Sequence, residues 1–154
     1  GENGRVKPFR IQAKKEERQI FEDFLIKEGI LKAFDMKRIH VQNGYVQYIP
    51  EGLPELSGLH LLRCGWYLGE IKKNRFEPSG AFARGLVKEQ AAKVITYGGD
   101  SDEVVKYLKC ETMEVDPSYK NGWYLVCVDE WPLGWGKVSG GTLKNKYPSG
   151  WRLV

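Results

Sequence analysis

The feature that most restricts the fold of this chain is a continuous apolar run followed by a glycine-rich stretch. Residues 123–128, WYLVCV, are apolar without interruption, which predicts a strand that is buried on both faces or lies in a small closed barrel. Residues 131–152, WPLGWGKVSGGTLKNKYPSGWR, contain too much glycine for a helix and are broken by Pro132 and Pro148. The C-terminal part of the chain is therefore predicted to be a β module.

The glycine-rich stretch also carries positive charge and aromatic rings. It contains no carboxylate, and its cations are Lys137, Lys144, Lys146 and Arg152. The aromatic residues Trp135, Tyr147 and Trp151 stand between its glycines and prolines. Lysines neutralise phosphates, aromatic faces stack on bases, and glycine lets a backbone come close to a sugar-phosphate chain. The pattern predicts a surface that binds RNA.

Composition limits the other possibilities. The chain has 154 residues, of which 42% are hydrophobic, enough to build one domain or two small ones. Its net charge of +4 is small, so the inference of an RNA partner depends on how the basic residues cluster. The apolar runs are far shorter than the roughly 20 residues of a membrane span, and the N-terminus has no apolar signal region. We expect a cytoplasmic monomer that does not contact a membrane.

Residues suited to metal binding or catalysis are sparse. The three cysteines are far apart, at Cys64, Cys110 and Cys127. His40 and His60 do not supply the closely spaced ligands of a zinc site, so we expect no metal and reduced, mostly buried cysteines. The GWGK of residues 134–137 lacks the spacing and the following helix of a phosphate loop. No Ser-His-Asp set is apparent, and the sequence predicts no catalytic residue.

Local patterns predict a flexible linker, a helix and a hairpin in the N-terminal part. Residues 1–15 are basic and contain Gly4 and Pro8, which indicates the flexible linker. From Glu16 apolar residues recur at helical spacing, and Gly29 ends the predicted helix. Asn43 and Gly44 predict a type I′ hairpin turn. Its two-residue loop pairs Val41 with Val46 and Ile39 with Tyr48.

The middle of the chain predicts a domain boundary and a second basic cluster. The prolines and glycines of residues 50–58 indicate a connection, which gives a small α+β domain over 16–60 and a second domain over 61–154. A boundary near residue 85 is the alternative. Residues 61–73 predict a strand that enters a turn, residues 74–80 close that turn, and the turn carries the basic residues Lys72, Lys73 and Arg75. Helices are predicted over residues 79–86, 88–97 and 101–109, with Asp100 or Ser101 as the cap of the last, and strands after them.

Two long segments resemble a known protein family. They are PEGLPELSGLHLLRCGWYLGEIKKNRFEPSGAFARGL, residues 50–86, and GWYLVCVDEWPLGWGKVSGGTLKNKYPSGWR, residues 122–152. Both are similar to the C-terminal part of RsmF-type proteins of the NOL1/NOP2/Sun family, bacterial RNA cytosine-5 methyltransferases that act on small-subunit ribosomal RNA. The resemblance extends from about residue 21 to residue 152. Its most specific motifs are LGE followed by KK-x-RFEPS, and LGWGK-x-SGG-x-LKN-x-YP-x-G.

The resemblance implies an α+β fold and a role without chemistry. The expected architecture is a small helix-plus-hairpin domain followed by a PUA-like mixed β-barrel with short helices. The family's catalytic cysteines stand in Thr-Cys and Pro-Cys contexts, whereas the cysteines here stand in RCG, KCE and VCV. We therefore expect no enzyme activity and no cofactor in this chain, with S-adenosylmethionine bound by a catalytic domain elsewhere in a longer protein. The implied partners are 16S rRNA or the small ribosomal subunit, and that methyltransferase domain in cis.

The resemblance also implies which residues bind RNA. The residues that match the family motifs are Lys72, Lys73, Arg75, Lys137, Lys144, Asn145, Lys146, Tyr147 and Arg152. Trp151 departs from the pattern, which has a smaller aliphatic residue there. We expect both basic turns to lie on one face and to orient a target cytosine toward the catalytic domain. The alternative is a protein-interaction module that packs on the catalytic domain or on a ribosomal protein through Trp131, Trp135 and Trp151.

Overall fold

The computed structural model describes residues 9–51 and 64–154, which form two β-sheets and short helices. The α-helices are α1 (Lys15–Lys27), α2 (Gly80–Arg84) and α3 (Asp102–Leu108). The first sheet, in spatial order, contains β1 (Ile39–Gln42), β2 (Tyr45–Tyr48), β3 (Trp66–Lys72) and β4 (Arg75–Pro78). The second sheet has the order β5-β7-β8-β9-β6, with β5 (Val94–Tyr97), β6 (Met113–Glu114), β7 (Gly122–Val128), β8 (Trp131–Ser139) and β9 (Thr142–Asn145). Short 3-10 turns lie at Met36–Arg38, Lys88–Gln90 and Ser149–Trp151.

The second sheet curls into a half-barrel, and the predicted α+β class is confirmed. All pairings in the first sheet are antiparallel. In the second sheet β5 is parallel to β7, and the remaining pairs are antiparallel. Within the described residues, no helix is long and apolar enough to cross a membrane.

Helix α1 forms where the sequence predicts it. The Glu17 carboxylate accepts a hydrogen bond from the Lys14 N–H at 2.9 Å, which satisfies a backbone donor just before the first turn. Gly29 has a φ of +67° and follows the helix, since glycine adopts the left-handed conformation without steric cost. The buried residues of the helix are Phe21, Phe24 and Leu25. They fix its apolar face against the first sheet and β7.

The predicted hairpin is confirmed with its register. Asn43 and Gly44 have φ values of +52° and +83°, as a type I′ turn requires. The paired residues include Ile39 with Tyr48 and Val41 with Val46. Strand β2 also pairs with β3, so one sheet contains residues from both sides of the boundary predicted near residue 60. Residues 52–63, which include most of the predicted connection, lie outside the described residues.

Part of the segment predicted as a linker lies along strand β1. The Val41 N–H donates to the Gln12 carbonyl at 2.9 Å, and the Gln12 N–H donates to Nδ1 of His40 at 3.2 Å. The Phe9 ring lies 4.9 Å from the imidazole of His40, centroid to centroid. These contacts hold His40, which is buried, in a structural role. Residues 1–8 of the predicted linker lie outside the described residues.

The prediction of a helix over residues 88–97 is wrong. A 3-10 turn at Lys88–Gln90 is followed by strand β5, whose Val94 pairs with Leu125 of β7. The β-branched side chains of Val94, Ile95 and Thr96 favour an extended backbone. The Leu125 N–H also donates to the Lys93 carbonyl at 3.0 Å. The pairing with β7 therefore outweighs the helical preference of the preceding alanines.

Strand β7 separates two hydrophobic cores, which confirms that it is buried on both faces. On one face Trp123, Leu125 and Cys127 join the core that contains α1, α2 and the first sheet. On the other face Tyr124 and Val126 join the core inside the half-barrel, which α3 closes with Tyr107 and Leu108. Because α1 and the first sheet pack on one face of the second sheet, the two sheets share a core.

The glycines at the centre of the glycine-rich stretch serve packing, and Trp135 is not a surface residue. The Trp135 side chain is 1% exposed, and its Nε1–H donates to the Ser79 carbonyl at 2.8 Å. A Cβ atom at Gly134 would collide with the Tyr107 hydroxyl, and one at Gly136 with the Leu143 side chain. The prediction of an exposed aromatic ring and an open backbone is therefore wrong at these positions, because the neighbouring strand and helix occupy the space.

The cysteines are less buried than predicted. All three are free thiols, but only Cys127 is buried, while Cys110 is half-buried and Cys64 is exposed. The prediction of mostly buried cysteines is therefore wrong for Cys64. Burial raises the pKa of the Cys127 thiol to about 11. A thiol with such a pKa is protonated near neutral pH and is a poor nucleophile.

Candidate nucleic-acid interface

Strands β8 and β9 bring three of the predicted basic residues onto one face, and we call Lys137, Lys144 and Lys146 the hairpin cluster. Lys137 is paired with Lys144 across the two strands and with Trp123 of β7. Directly paired residues share a face of a sheet. The Lys146 N–H donates to the Trp135 carbonyl at 3.2 Å, which continues the hairpin by one residue. The cluster is therefore fixed by the strand register.

The ring of Trp123 positions two ammonium groups of the hairpin cluster. The Nζ atom of Lys137 lies 5.3 Å from the ring centroid, and that of Lys146 lies 5.7 Å away. Both distances fall within the range of a cation–π interaction. Trp123 is itself buried, and its ring packs edge-on against Phe24 at 6.5 Å. A rigid indole thus supports two otherwise flexible side chains.

The lysines of the hairpin cluster have no carboxylate within salt-bridge distance in the part of the chain that the structure describes. Lys137 and Lys144 are directly opposite each other, an arrangement of like charges that is unfavourable in a sheet. Lys144 and Lys146 are exposed, and Lys137 is half-buried. An anion that bound here would relieve this repulsion.

The second predicted basic turn, between β3 and β4, is different. Lys72 pairs with Arg75, and Glu70 pairs with Glu77, so all four side chains share the face of the sheet that points away from the core residue Phe76. The Lys72 Nζ lies 3.2 Å from the Glu70 Oε1 and 3.9 Å from the Glu77 Oε2. The hydrogen bond that Lys72 donates to Glu70, together with the charges of both carboxylates, raises the pKa of Lys72.

Lys73 occupies the loop of this turn. It and Asn74 have φ values of +50° and +60°, the left-handed conformation of a two-residue hairpin turn. Lys73 and Arg75 are exposed. The turn belongs to the first sheet and the hairpin cluster to the second. That both basic groups face one RNA remains a prediction.

Asn145 and Tyr147 make contacts inside the protein. The Asn145 Nδ2 donates to the Tyr107 carbonyl at 2.6 Å, and its Oδ1 accepts from the Tyr147 N–H at 2.7 Å. The Tyr147 ring lies 5.5 Å from the Tyr107 ring. The Tyr107 hydroxyl in turn donates to the Trp135 carbonyl at 2.9 Å, and burial raises the pKa of Tyr107. Both residues therefore anchor the end of β9 to α3.

The C-terminal 3-10 turn brings a residue into the basic region that the sequence did not indicate. The guanidinium carbon of Arg84, the last residue of α2, lies 4.3 Å from the ring centroid of Trp151. Tyr147 contacts the same indole edge-on at 6.2 Å. Arg152, the neighbour of Trp151, is exposed. Arg84 was missed because nothing in its local sequence relates it to a turn so far along the chain.

A partly buried ion pair, with Glu28 buried and Lys93 half-buried, holds the backbone of Trp123 at the junction between α1 and the second sheet. The Glu28 Oε2 accepts hydrogen bonds from the Lys93 Nζ at 2.6 Å and from the Trp123 N–H at 3.0 Å. Gly122 lies so close to both charged groups that a Cβ atom there would collide with them. Sequence reasoning missed this pair, since its members are 65 residues apart.

The described part of the chain contains no group of three or more His, Cys, Asp or Glu residues that could hold a metal ion. The distinctive side chains of the region are therefore cations and aromatic rings. Such an arrangement can bind an anion and support a stacked base.

Comparison with protein families gives two matches that together cover most of the chain. Residues 23–86 match the family described as RsmF rRNA methyltransferase first C-terminal domain, and residues 95–153 match the Methyltransferase RsmF PUA domain. A comparison with curated proteins found no match. Both matched domains are C-terminal domains, and neither is a catalytic domain. The family resemblance of the sequence is thereby confirmed, and the chain belongs to the C-terminal region of the RsmF-type methyltransferases.

Proposed function

We propose that this chain is the RNA-binding part of a small-subunit rRNA cytosine-5 methyltransferase. The observation that carries the proposal is the hairpin cluster, Lys137, Lys144 and Lys146, which is held on one face without a compensating carboxylate in the described residues. The names of the two matched families supply the class of enzyme and the class of RNA.

The hairpin cluster holds rRNA through its phosphates. Three ammonium groups at fixed positions neutralise the backbone of a folded RNA, and such contacts set position and orientation without reading sequence. Arg152, together with Lys73 and Arg75 of the β3–β4 turn, extends the contact. Held in this way, the RNA presents its target cytosine to the methyltransferase domain of the same protein.

We assign the chemistry to that catalytic domain. Among the cysteines here, Cys127 is buried and its pKa is raised to about 11, so it does not suit nucleophilic attack on a pyrimidine. S-Adenosylmethionine, which supplies the methyl group, would bind in the catalytic domain as well. This part of the protein binds and orients the substrate.

Salt dependence of binding tests the proposal. The affinity of the 154-residue chain for a fragment of small-subunit rRNA should be measured between about 50 and 200 mM salt. If about six phosphate contacts form, the logarithm of the association constant should fall with the logarithm of the salt concentration with a slope of about −5. A slope near zero would contradict the proposal.

A pair of matched double variants locates the interface. Lys144→Ala with Lys146→Ala should weaken RNA binding strongly, because both side chains belong to the hairpin cluster. Lys106→Ala with Lys109→Ala removes the same charge at the exposed end of α3 and should weaken binding much less. Equal losses would place the RNA elsewhere on the surface.

A protein-interaction module is the second candidate, and one residue favours it. Trp131 is 72% exposed at the start of β8, where its ring is available to pack on another domain. Trp135, by contrast, is buried and unavailable for such a contact. Under this alternative Trp131→Ala weakens association with the methyltransferase domain, and salt has little effect on that association. The two candidates therefore differ in their response to salt.

A further inference from the structure

We propose that Arg84 and Trp151 form a stacking site for one unpaired base of the bound RNA. The inference rests on the proposed function, and it adds the kind of RNA that the surface accepts. Arg84 belongs to the matched first C-terminal domain and Trp151 to the matched PUA domain. The site therefore exists only where the two domains meet.

The indole of Trp151 is held in place by two neighbours. The Arg84 guanidinium carbon lies 4.3 Å from the ring centroid, a close cation–π contact. Tyr147 approaches at 6.2 Å with an angle of 71° between the ring planes. The carbonyls of Tyr147 and Pro148 lie within 4.0 Å of the Cys110 Sγ, and the Asn145 side chain accepts from the Tyr147 N–H. The turn that carries Trp151 is thereby attached to the fold.

Although it is held in place, Trp151 is not buried. Its side chain remains 56% exposed, so a large aromatic surface is ordered yet open to solvent. Trp131 provides a comparison, since it is 72% exposed and makes no ring or cation–π contact with the described residues. An ordered aromatic ring loses less conformational entropy when a ligand stacks on it. Trp151 therefore has the property that a stacking platform needs, whereas Trp131 does not.

The surroundings of Trp151 are cationic. Three exposed cations lie near Trp151 in sequence or in space: Arg84, Lys146 and Arg152. Within the described residues none of them forms a salt bridge. Lys146 links the site to the hairpin cluster, because Tyr147 follows it directly and contacts Trp151. The ring can stack a base, and the cations beside it can bind the adjacent phosphates. Such a site suits an extruded or single-stranded nucleotide. Bases within a duplex are already stacked and cannot use the site.

The test compares two RNAs of equal length with four proteins. One RNA is a hairpin with an unpaired loop, and the other is a fully paired duplex. The proteins are the wild-type chain, Trp151→Leu, Trp151→Phe and the matched control Trp131→Leu. Affinity is measured for every combination, and the salt slope is measured for the wild type and Trp151→Leu.

Loss of the ring should affect only the RNA with unpaired bases. Trp151→Leu should bind the hairpin about 5- to 150-fold more weakly, with an unchanged salt slope, and should bind the duplex as the wild type does. Trp151→Phe should retain most of the affinity because it keeps an aromatic face. Trp131→Leu should bind both RNAs normally.

Several outcomes would overturn the inference. Wild-type affinity of Trp151→Leu for the hairpin would do so, as would an equal loss for the duplex, since the pair would then serve only to join α2 to the C-terminal turn. Trp151→Leu could also lower the melting temperature. If Trp151→Phe restored the melting temperature but not the binding of the hairpin RNA, Trp151 would likewise have only a structural role. If the wild-type chain binds neither RNA and shows no salt slope, the proposed function itself fails. If it binds steeply with salt while Trp151→Leu is normal, only the stacking site fails.

Discussion

The junction between α1 and the second sheet and the β8–β9 hairpin both place lysines next to strand β7, but they use them in opposite ways. At the junction Lys93 lies 2.6 Å from Glu28, and the same carboxylate accepts the Trp123 N–H. On the hairpin, Lys137 and Lys146 lie over the Trp123 ring, and no carboxylate of the described residues pairs with them. The positive charge at the junction is neutralised by a carboxylate, whereas the positive charge on the hairpin is not.

The difference separates charges that stabilise the fold from charges left for a ligand. A buried ion pair must be complete, because an unpaired buried charge is costly. An exposed lysine in water has no such requirement, and clustering it with like charges gains nothing for the free protein. The β3–β4 turn is intermediate, since Lys72 is exposed but paired with Glu70 and Glu77. A basic region is therefore a better candidate for RNA binding when fewer of its cations are paired with carboxylates.

Breaking the junction should have the largest effect on stability. In Lys93→Met the Glu28 carboxylate, 3% exposed, loses its cation. The free energy of unfolding should fall by about 3–5 kcal/mol, measured by urea denaturation. Adding Glu28→Gln to this variant should recover part of the loss, because the buried group is then neutral. A loss below about 1 kcal/mol would place Lys93 among exposed pairs instead.

Removing the charges of the hairpin cluster should have the opposite effect, with a large change in RNA binding and little change in stability. Lys137→Gln, Lys144→Gln and Lys146→Gln together should reduce the salt slope of RNA binding by about three, since three phosphate contacts are lost. The free energy of unfolding should stay within about 0.5 kcal/mol of wild type or rise, because like-charge repulsion is removed. The control replaces Lys72, Lys73 and Arg75 by glutamine. An equal or larger loss of slope in the control would reverse the ranking of the two turns.

The elements that sequence predicts well are those whose cause is local. The turn at Asn43 and Gly44 determines the register of β1 and β2 by itself. Ser101 caps α3 as one of the two residues predicted, by accepting a hydrogen bond from the Val104 N–H at 3.4 Å. Each of these depends on residues no more than a few positions apart.

The features that sequence reasoning missed depend on distant partners. Strand β5 forms because β7 lies beside it, and nothing within residues 88–97 states this. Gly134 and Gly136 are small because Tyr107 and Leu143 need their space, a requirement that appears in the sequence only as an excess of glycine. The same excess suggested an open backbone, and that prediction is wrong at Gly134 and Gly136.

Removing the acids of the β3–β4 turn should convert it into a second uncompensated cluster. In Glu70→Gln with Glu77→Gln, Lys72 loses both of its partners. If the turn lies near the RNA, the salt slope should steepen by about one and the affinity should rise. The matched control is Glu103→Gln with Glu114→Gln, which changes the net charge equally at exposed positions of the half-barrel. Equal gains in both variants would indicate a general effect of net charge.

The smallest effect should be on the titration of Lys72. Its pKa is raised first by the hydrogen bond that Lys72 donates to the Glu70 carboxylate and then by the charges of Glu70 and Glu77. Because the folded pKa lies above the unfolded value, the pair stabilises the fold fully at pH below about 10.4. That contribution disappears as the pH rises through the folded pKa. Glu70→Gln should lower the Lys72 pKa in an NMR titration of the lysine side chains, and an unchanged pKa would show that solvent already screens the pair.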